Sequence, residues 1–179
     1  MVPYSNPNLR IYDPIENEFI MTSPIPAVYL NNNDKFFVGG VLGPNGMVYL
    51  IPQNASRIGI YNSILNEWNI EIDINDDLSS EKYAGGLLLR NGNILCIPYA
   101  APFYLEYNVS TNEEKYYSVP SSNLDIDHNN AMKYYGGIVT EDGSICSIPY
   151  TSNHLDLIKM NDDNLMDKNT LYSPFFNKL

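Results

Sequence analysis

Histidine, cysteine and tryptophan are almost missing from this chain of 179 residues, which carries two His, two Cys and one Trp. Catalysis needs several reactive groups held together, and His128 and His154 lie in different stretches with no nucleophile elbow or zinc-pair spacing around either. Both histidines are expected on exposed loops, and neither an enzyme activity nor a resident cofactor is expected. No glycine-rich phosphate loop opens a helix, because the glycines follow a longer spacing of their own.

Positive charge is also scarce. Ten Lys and Arg stand against 21 Asp and Glu, a formal charge of −11, so the field repels phosphate backbones and anionic lipid surfaces. Nucleic acid and membranes are therefore not expected as partners. No stretch approaches the roughly 18 apolar residues that cross a bilayer. Residues 1–7 lack the basic start and apolar core of a secretory signal. The expectation is a soluble protein that is not secreted by that route, and the acceptor patterns Asn54-Ala55-Ser56 and Asn108-Val109-Ser110 then carry no weight.

What the chain does have is a repeat. The pairs Gly39-Gly40, Gly85-Gly86 and Gly136-Gly137 are spaced by 46 and 51 residues, and each is followed by Gly46, Gly92 or Gly143 and then by Ile51-Pro52, Ile97-Pro98 or Ile148-Pro149. A fixed internal period marks one supersecondary unit that buries its face against the next. Each unit opens on Phe37, Tyr83 or Tyr134, runs through its glycine pair into an apolar strand, and turns at Asn45-Gly46, Asn91-Gly92 or Asp142-Gly143. Asn-Gly and Asp-Gly between strands predict a two-residue type I′ hairpin. The second strands, 47–51, 93–97 and 144–148, stop at a proline that cannot donate to a ladder.

A third strand carries Tyr12, Tyr61 or Tyr107 five residues ahead of Asn17-Glu18, Asn66-Glu67 or Asn112-Glu113, and a fourth strand leaves the turn between them. These aromatics are expected to pack between sheets. In the last unit Ile158 stands in the place of the tyrosine, so that copy is degenerate. Aligned on Ile-Pro, Cys96 and Cys146 fall one position apart and so on opposite strand faces; no disulfide is expected, and Cys96 reads as a small buried thiol.

Four strands per unit, the Asn-Gly hairpin and the segment Tyr12-Asp13-Pro14-Ile15-Glu16-Asn17-Glu18-Phe19 resemble the kelch repeat of β-propellers, with 61–68 a second match. The pattern departs from that family where Ile-Pro replaces the glycine pair at the end of the second strand. It is also similar to repeats of phage and large-virus proteins. The resemblance implies an all-β propeller of four-stranded kelch-like blades: a leading half-blade (1–34), two blades (35–80 and 81–130) and a degenerate one (131–179), in a single domain. A kelch-like oxidase would need a copper site that two scattered histidines do not assemble.

Three blades and a half are fewer than the four or so that close a propeller. The expected function is accordingly a non-enzymatic structural or interaction module that assembles with other protein chains, as a homo-oligomer or in a larger particle such as a virion, in the cytoplasm or the virion itself. The alternative is a lectin-like propeller binding glycans through Tyr99, Tyr104 and Tyr150, exposed residues near the Ile-Pro stops. Alternating oxygen side chains, Asp73-x-Asn75-x-Asp77 and Asp125-x-Asp127-x-Asn129, would suit Ca²⁺, although neither runs on into an EF-hand loop; solvated loops are the plainer reading of both.

Overall fold

In a computed structural model the chain is described at all residues except 31–34, 70–80, 120–131, 152–153, 161–165 and 173–179; at 21–23, 154, 160 and 166–172 only the backbone is described. The described residues form 14 strands and one short 3₁₀ turn, Ala27–Tyr29. The first sheet pairs β1 (Asn8–Asp13) with β2 (Glu18–Pro24). The second holds β3 (Phe37–Leu42), β4 (Val48–Pro52), β5 (Gly59–Asn62) and β6 (Glu67–Asn69) in chain order. The third holds β7 (Tyr83–Leu88), β8 (Ile94–Pro98), β9 (Phe103–Tyr107) and β10 (Glu114–Ser118). The fourth holds β11 (Tyr134–Val139), β12 (Ile145–Pro149), β13 (His154–Met160) and β14 (Met166–Tyr172). Every pairing is antiparallel.

The sheets stack face to face, and the period-2 alternation of strands sends side chains into a layer on each side. On β8, Ile94 and Cys96 pack toward the second sheet with Tyr49, Ile51 and Ile60, whereas Leu95 and Ile97 pack toward the fourth with Tyr134, Ile145 and Ile158. A third layer joins Leu9 and Tyr29 to Phe37, Leu50 and Tyr61. The rings of Tyr49 and Tyr107 meet across the second and third sheets at 5.7 Å between centroids. Cys96 is fully buried, Cys146 is partly buried, and no disulfide joins them.

The glycine pairs mark where the first strands crowd together. Each pair sits in a register shift, between Phe37 and Gly40, Tyr83 and Gly86, Tyr134 and Gly137. Gly39 and Gly85 have φ of +85° and +88°, and a Cβ on them would lie 3.1 Å from Gly85 Cα and 3.2 Å from Gly136 Cα respectively. A side chain fits neither the backbone conformation nor the space.

The hairpins differ from the type I′ expectation. Gly46, Gly92 and Gly143 take positive φ, but Asn45, Asn91 and Asp142 do not. Gly46 N–H donates to Gly43 O at 3.0 Å and Gly43 N–H to Met47 O at 2.9 Å, so Pro44 and Asn45 form the turn and Gly46 is the left-handed residue closing it. This is the three-residue hairpin built on a type I turn. The Asn and Asp are there for their side chains, which accept from the N–H of Met47, Asn93 and Ser144 at 3.2, 3.0 and 3.1 Å.

The tyrosine-to-asparagine spacing also has a physical cause. Tyr12, Tyr61 and Tyr107 hydroxyls donate to Oδ1 of Asn17, Asn66 and Asn112 at 2.7, 2.5 and 2.7 Å. Those asparagines hold φ of 55°, 57° and 62°. Asparagine tolerates that left-handed region better than most residues, and the tyrosine across the hairpin fixes it there.

Candidate functional site

The loops that follow β4, β8 and β12 share one end of the stack with the segments that enter β3, β7 and β11, and a relay of backbone hydrogen bonds ties them together. Phe36 N–H donates to Tyr4 O (2.7 Å), Gln53 to Phe36 (3.0 Å), Lys82 to Gln53 (2.9 Å), Tyr99 to Lys82 (2.9 Å), Lys133 to Tyr99 (2.7 Å) and Tyr150 to Lys133 (2.9 Å). Links within one sheet alternate with links to the next. This end is therefore a rigid rim, and the side chains carried on it are held in place.

Three tyrosines cluster on that rim. Tyr99 lies 5.5 Å from Tyr150 and 6.1 Å from Tyr135 between ring centroids, and Tyr135 and Tyr150 lie 5.9 Å apart with planes 35° from parallel. Tyr135 and Tyr150 are 51% and 55% exposed, whereas Tyr99 is 7% exposed beneath them. The Tyr99 hydroxyl donates to Met132 Sδ at 2.7 Å. Burial pushes the Tyr99 phenol up to about 12, with Tyr150 and the Glu81 charge adding to the shift and Lys35 opposing it. Ala100 N–H donates to Glu81 O at 3.0 Å, so the Lys35–Glu81 ion pair (2.7 Å) stands beside this cluster.

Of the tyrosines read as ligand contacts, Tyr150 is exposed, Tyr99 is its buried support, and Tyr104 belongs to the interior. Tyr104 is fully buried, its hydroxyl paired with Ser147 Oγ at 2.8 Å and its ring against Tyr134. It sits on β9 and faces the fourth sheet, so the exposed stacking role expected of it is corrected. Tyr135 was missed. Its signal was a broken column: Val38 and Ala84 hold the same place after Phe37 and Tyr83, and only the last unit has a ring there.

Two buried carboxylates are structural in their surroundings. Glu106 accepts from Asn91 Nδ2 (3.0 Å), Asn93 Nδ2 (2.6 Å) and the Tyr117 hydroxyl (2.5 Å). Burial alone would raise its pKa, but these hydrogen bonds outweigh burial and hold it below the usual range. Asp156 accepts from the Tyr134 hydroxyl at the interface of the third and fourth sheets, and burial raises the Tyr134 phenol far above its ordinary value. Neither carboxylate has an open side toward a substrate.

The proposed calcium ligands Asp73, Asn75, Asp77, Asp125, Asp127 and Asn129 lie outside the described residues, as does His128; His154 begins β13, with only its backbone described. Among the described residues, no group of three or more His, Cys, Asp or Glu could hold a metal ion. Among the described residues, no helix is long and apolar enough to cross a membrane.

No protein-family model and no curated protein matches the chain. Solved structures do match. Virginiamycin B lyase from Staphylococcus aureus superposes with a TM-score of 0.69 at 12% identity, over 95% of this chain and 51% of that one. A streptogramin B lyase gives 0.63 at 16% identity over 89% and 46%, and an auxiliary nutrient binding protein from Bacteroides ovatus gives 0.59 at 11% over 93% and 37%. The chain thus spans about half or less of the length of the structures it resembles. At these identities the likeness is one of fold: the chain is all-β, with four antiparallel sheets stacked as in β-propeller-like proteins whose roles vary.

Proposed function

We propose that the chain is a non-enzymatic interaction module whose sheet stack is continued by a sheet from a second copy of the chain. The observation that carries this reading is the outer face of the fourth sheet. Val41 and Ile51 in the second sheet and Ile97 in the third are 8%, 0% and 0% exposed, buried against the sheet that follows, but Ile138 and Ile148 in the same columns are 56% and 48% exposed. Gly136 repeats Gly39 and Gly85, yet a Cβ there would meet nothing within 4 Å. The face is built like an interior one, and leaving such apolar surface in water is unfavourable by about 25 cal/mol per Å².

Toward the other end of the stack, the two-stranded first sheet leaves a gap against the second sheet, where Leu42 is exposed. A cavity of about 240 Å³ lies between β1 and the second sheet, lined by Val2, Leu9, Ile11, Leu42, Val48 and Leu50 among others. The contact extends an arrangement that already recurs inside the chain. A kelch-type repeat is the finer reading supported by the Tyr12–Asn17 pairing and its two repeats; a place in a virion or phage particle rests on the repeat resemblance alone.

The test is solution mass by light scattering across a concentration series, with Ile138→Lys and Ile148→Lys beside the parent. Multiples of 20.3 kDa in the parent, lost in both variants, are expected. A parent that stays at one chain's mass at every concentration overturns the reading.

A further inference from the structure

The tyrosine cluster lies on the rim where the third and fourth sheets meet, and two of its rings stand open to solvent. Large aromatic rings normally bury most of their area, yet Tyr135 and Tyr150 each leave half their surface to solvent while packed at a tilt against one another on a rim that backbone hydrogen bonds hold in place. Tyr99 supports both from below, itself anchored to Met132. Beside Tyr99, where the second and third sheets meet, stands an ion pair, Lys35 and Glu81, that supplies donors and an acceptor in one place.

We propose that Tyr135 and Tyr150 form a stacking platform for a carbohydrate chain, with Lys35 and Glu81 at its edge binding sugar hydroxyls. A sugar ring has an apolar C–H face and a hydroxyl edge, and needs an open aromatic surface with a polar border. Two half-exposed rings with centres 5.9 Å apart and planes 35° from parallel put two open aromatic surfaces within reach of successive rings of one oligosaccharide. A cationic ligand fits worse. An aromatic cage must surround the cation with ring faces, whereas these three rings touch one another at 5.5–6.1 Å and enclose no space. A polyproline segment docks into aromatic-lined grooves, and the same contacts close the slots it would enter.

The site draws on the second, third and fourth sheets of one chain, and Tyr150, in the column of Tyr99, borders the face proposed for a second copy, so sugar binding is read in dilute solution, where copies are apart. The experiment is an array of hexose and N-acetylhexosamine oligosaccharides, with proline-rich peptides and trimethylammonium compounds on the same surface, followed by calorimetry on each hit. Binding of at least one oligosaccharide is expected, weakened about tenfold or more by Tyr150→Ala and by Tyr135→Ala but little by Tyr150→Phe, which keeps the ring. Both truncated residues are half exposed, and circular dichroism of each variant checks that the fold is kept. Capture of only peptides or only cations, no binding by any sugar, or sugar binding unchanged in both alanine variants overturns the proposal.

Discussion

Gly85→Ala and Gly136→Ala are the same chemical change at the same repeat position, and the structure separates their costs. Both residues sit at positive φ, +88° and +82°, where an L side chain costs about 1–2 kcal/mol. At Gly85 the new methyl would also lie 3.2 Å from Gly136 Cα, a backbone atom on an inner strand that cannot turn aside. Overpacking of that kind adds about 1–3 kcal/mol. At Gly136 nothing lies within 4 Å, so only the conformational cost remains. Urea unfolding at low protein concentration should therefore place Gly85→Ala below Gly136→Ala by roughly 1–3 kcal/mol, each kcal/mol being about 2–4 °C in Tm for a chain of this size. At high concentration the gap should narrow, because a copy seated on the fourth sheet would bring backbone against Gly136. Equal destabilisation of the two variants in dilute solution would refute the argument that the glycines exist for close approach.

Other consequences are as direct. The folded pKa of Glu106 is depressed, so its stabilising contribution is present above the unfolded carboxylate range and is lost as pH falls through the folded value. Glu106→Gln should cost about 1.5–3 kcal/mol at neutral pH and flatten the acid limb of a stability-against-pH curve; an unchanged limb would show that the carboxylate is no better held folded than unfolded. Tyr107→Phe removes a partly buried 2.7 Å hydrogen bond to Asn112 and should lower the unfolding free energy by about 1 kcal/mol, against a smaller loss for Tyr12→Phe at the 45% exposed copy. A thiol reagent should label Cys146 first, slowly at neutral pH because burial raises its pKa, and Cys96 only on unfolding; equal rates would contradict the burial described for Cys96.

The strand order was legible because each unit repeats its punctuation. Glycine pair, turn glycine and Ile-Pro recur at fixed offsets, and three copies distinguish a strand from an accident of composition. The hairpin type was misread because Asn-Gly fits two turn geometries, and only the i to i+3 bond from Gly46 to Gly43 tells them apart. Tyr104 was misplaced for a different reason. Two prolines, at 98 and 102, bracket the loop before it, so closeness to Ile97-Pro98 suggested the rim, whereas Tyr104 is already the second residue of β9 and turns inward. The platform was half visible, since Tyr99 and Tyr150 share a column, but Tyr135 comes from another strand and meets them only through folding. Buried partners such as Tyr134 with Asp156 had no sequence signal, because the pairing joins residues 22 apart on strands of one sheet.

The relay of hydrogen bonds at the rim has a direction. From Tyr4 to Tyr150 each later N–H points back to an earlier carbonyl, so the stack has a head and a tail of unlike chemistry. A two-fold dimer presents the same patch to itself, and this rim cannot be continued across such an axis without reversing its polarity. Growth that keeps the relay must be heterologous, from the Tyr150 end of one copy to the Tyr4 end of the next. Such an interface closes into a ring if the rotation per chain divides a full turn and runs on as a filament if it does not. If copies associate in this way, the angle between successive sheets, more than the strength of any contact, decides between ring and filament.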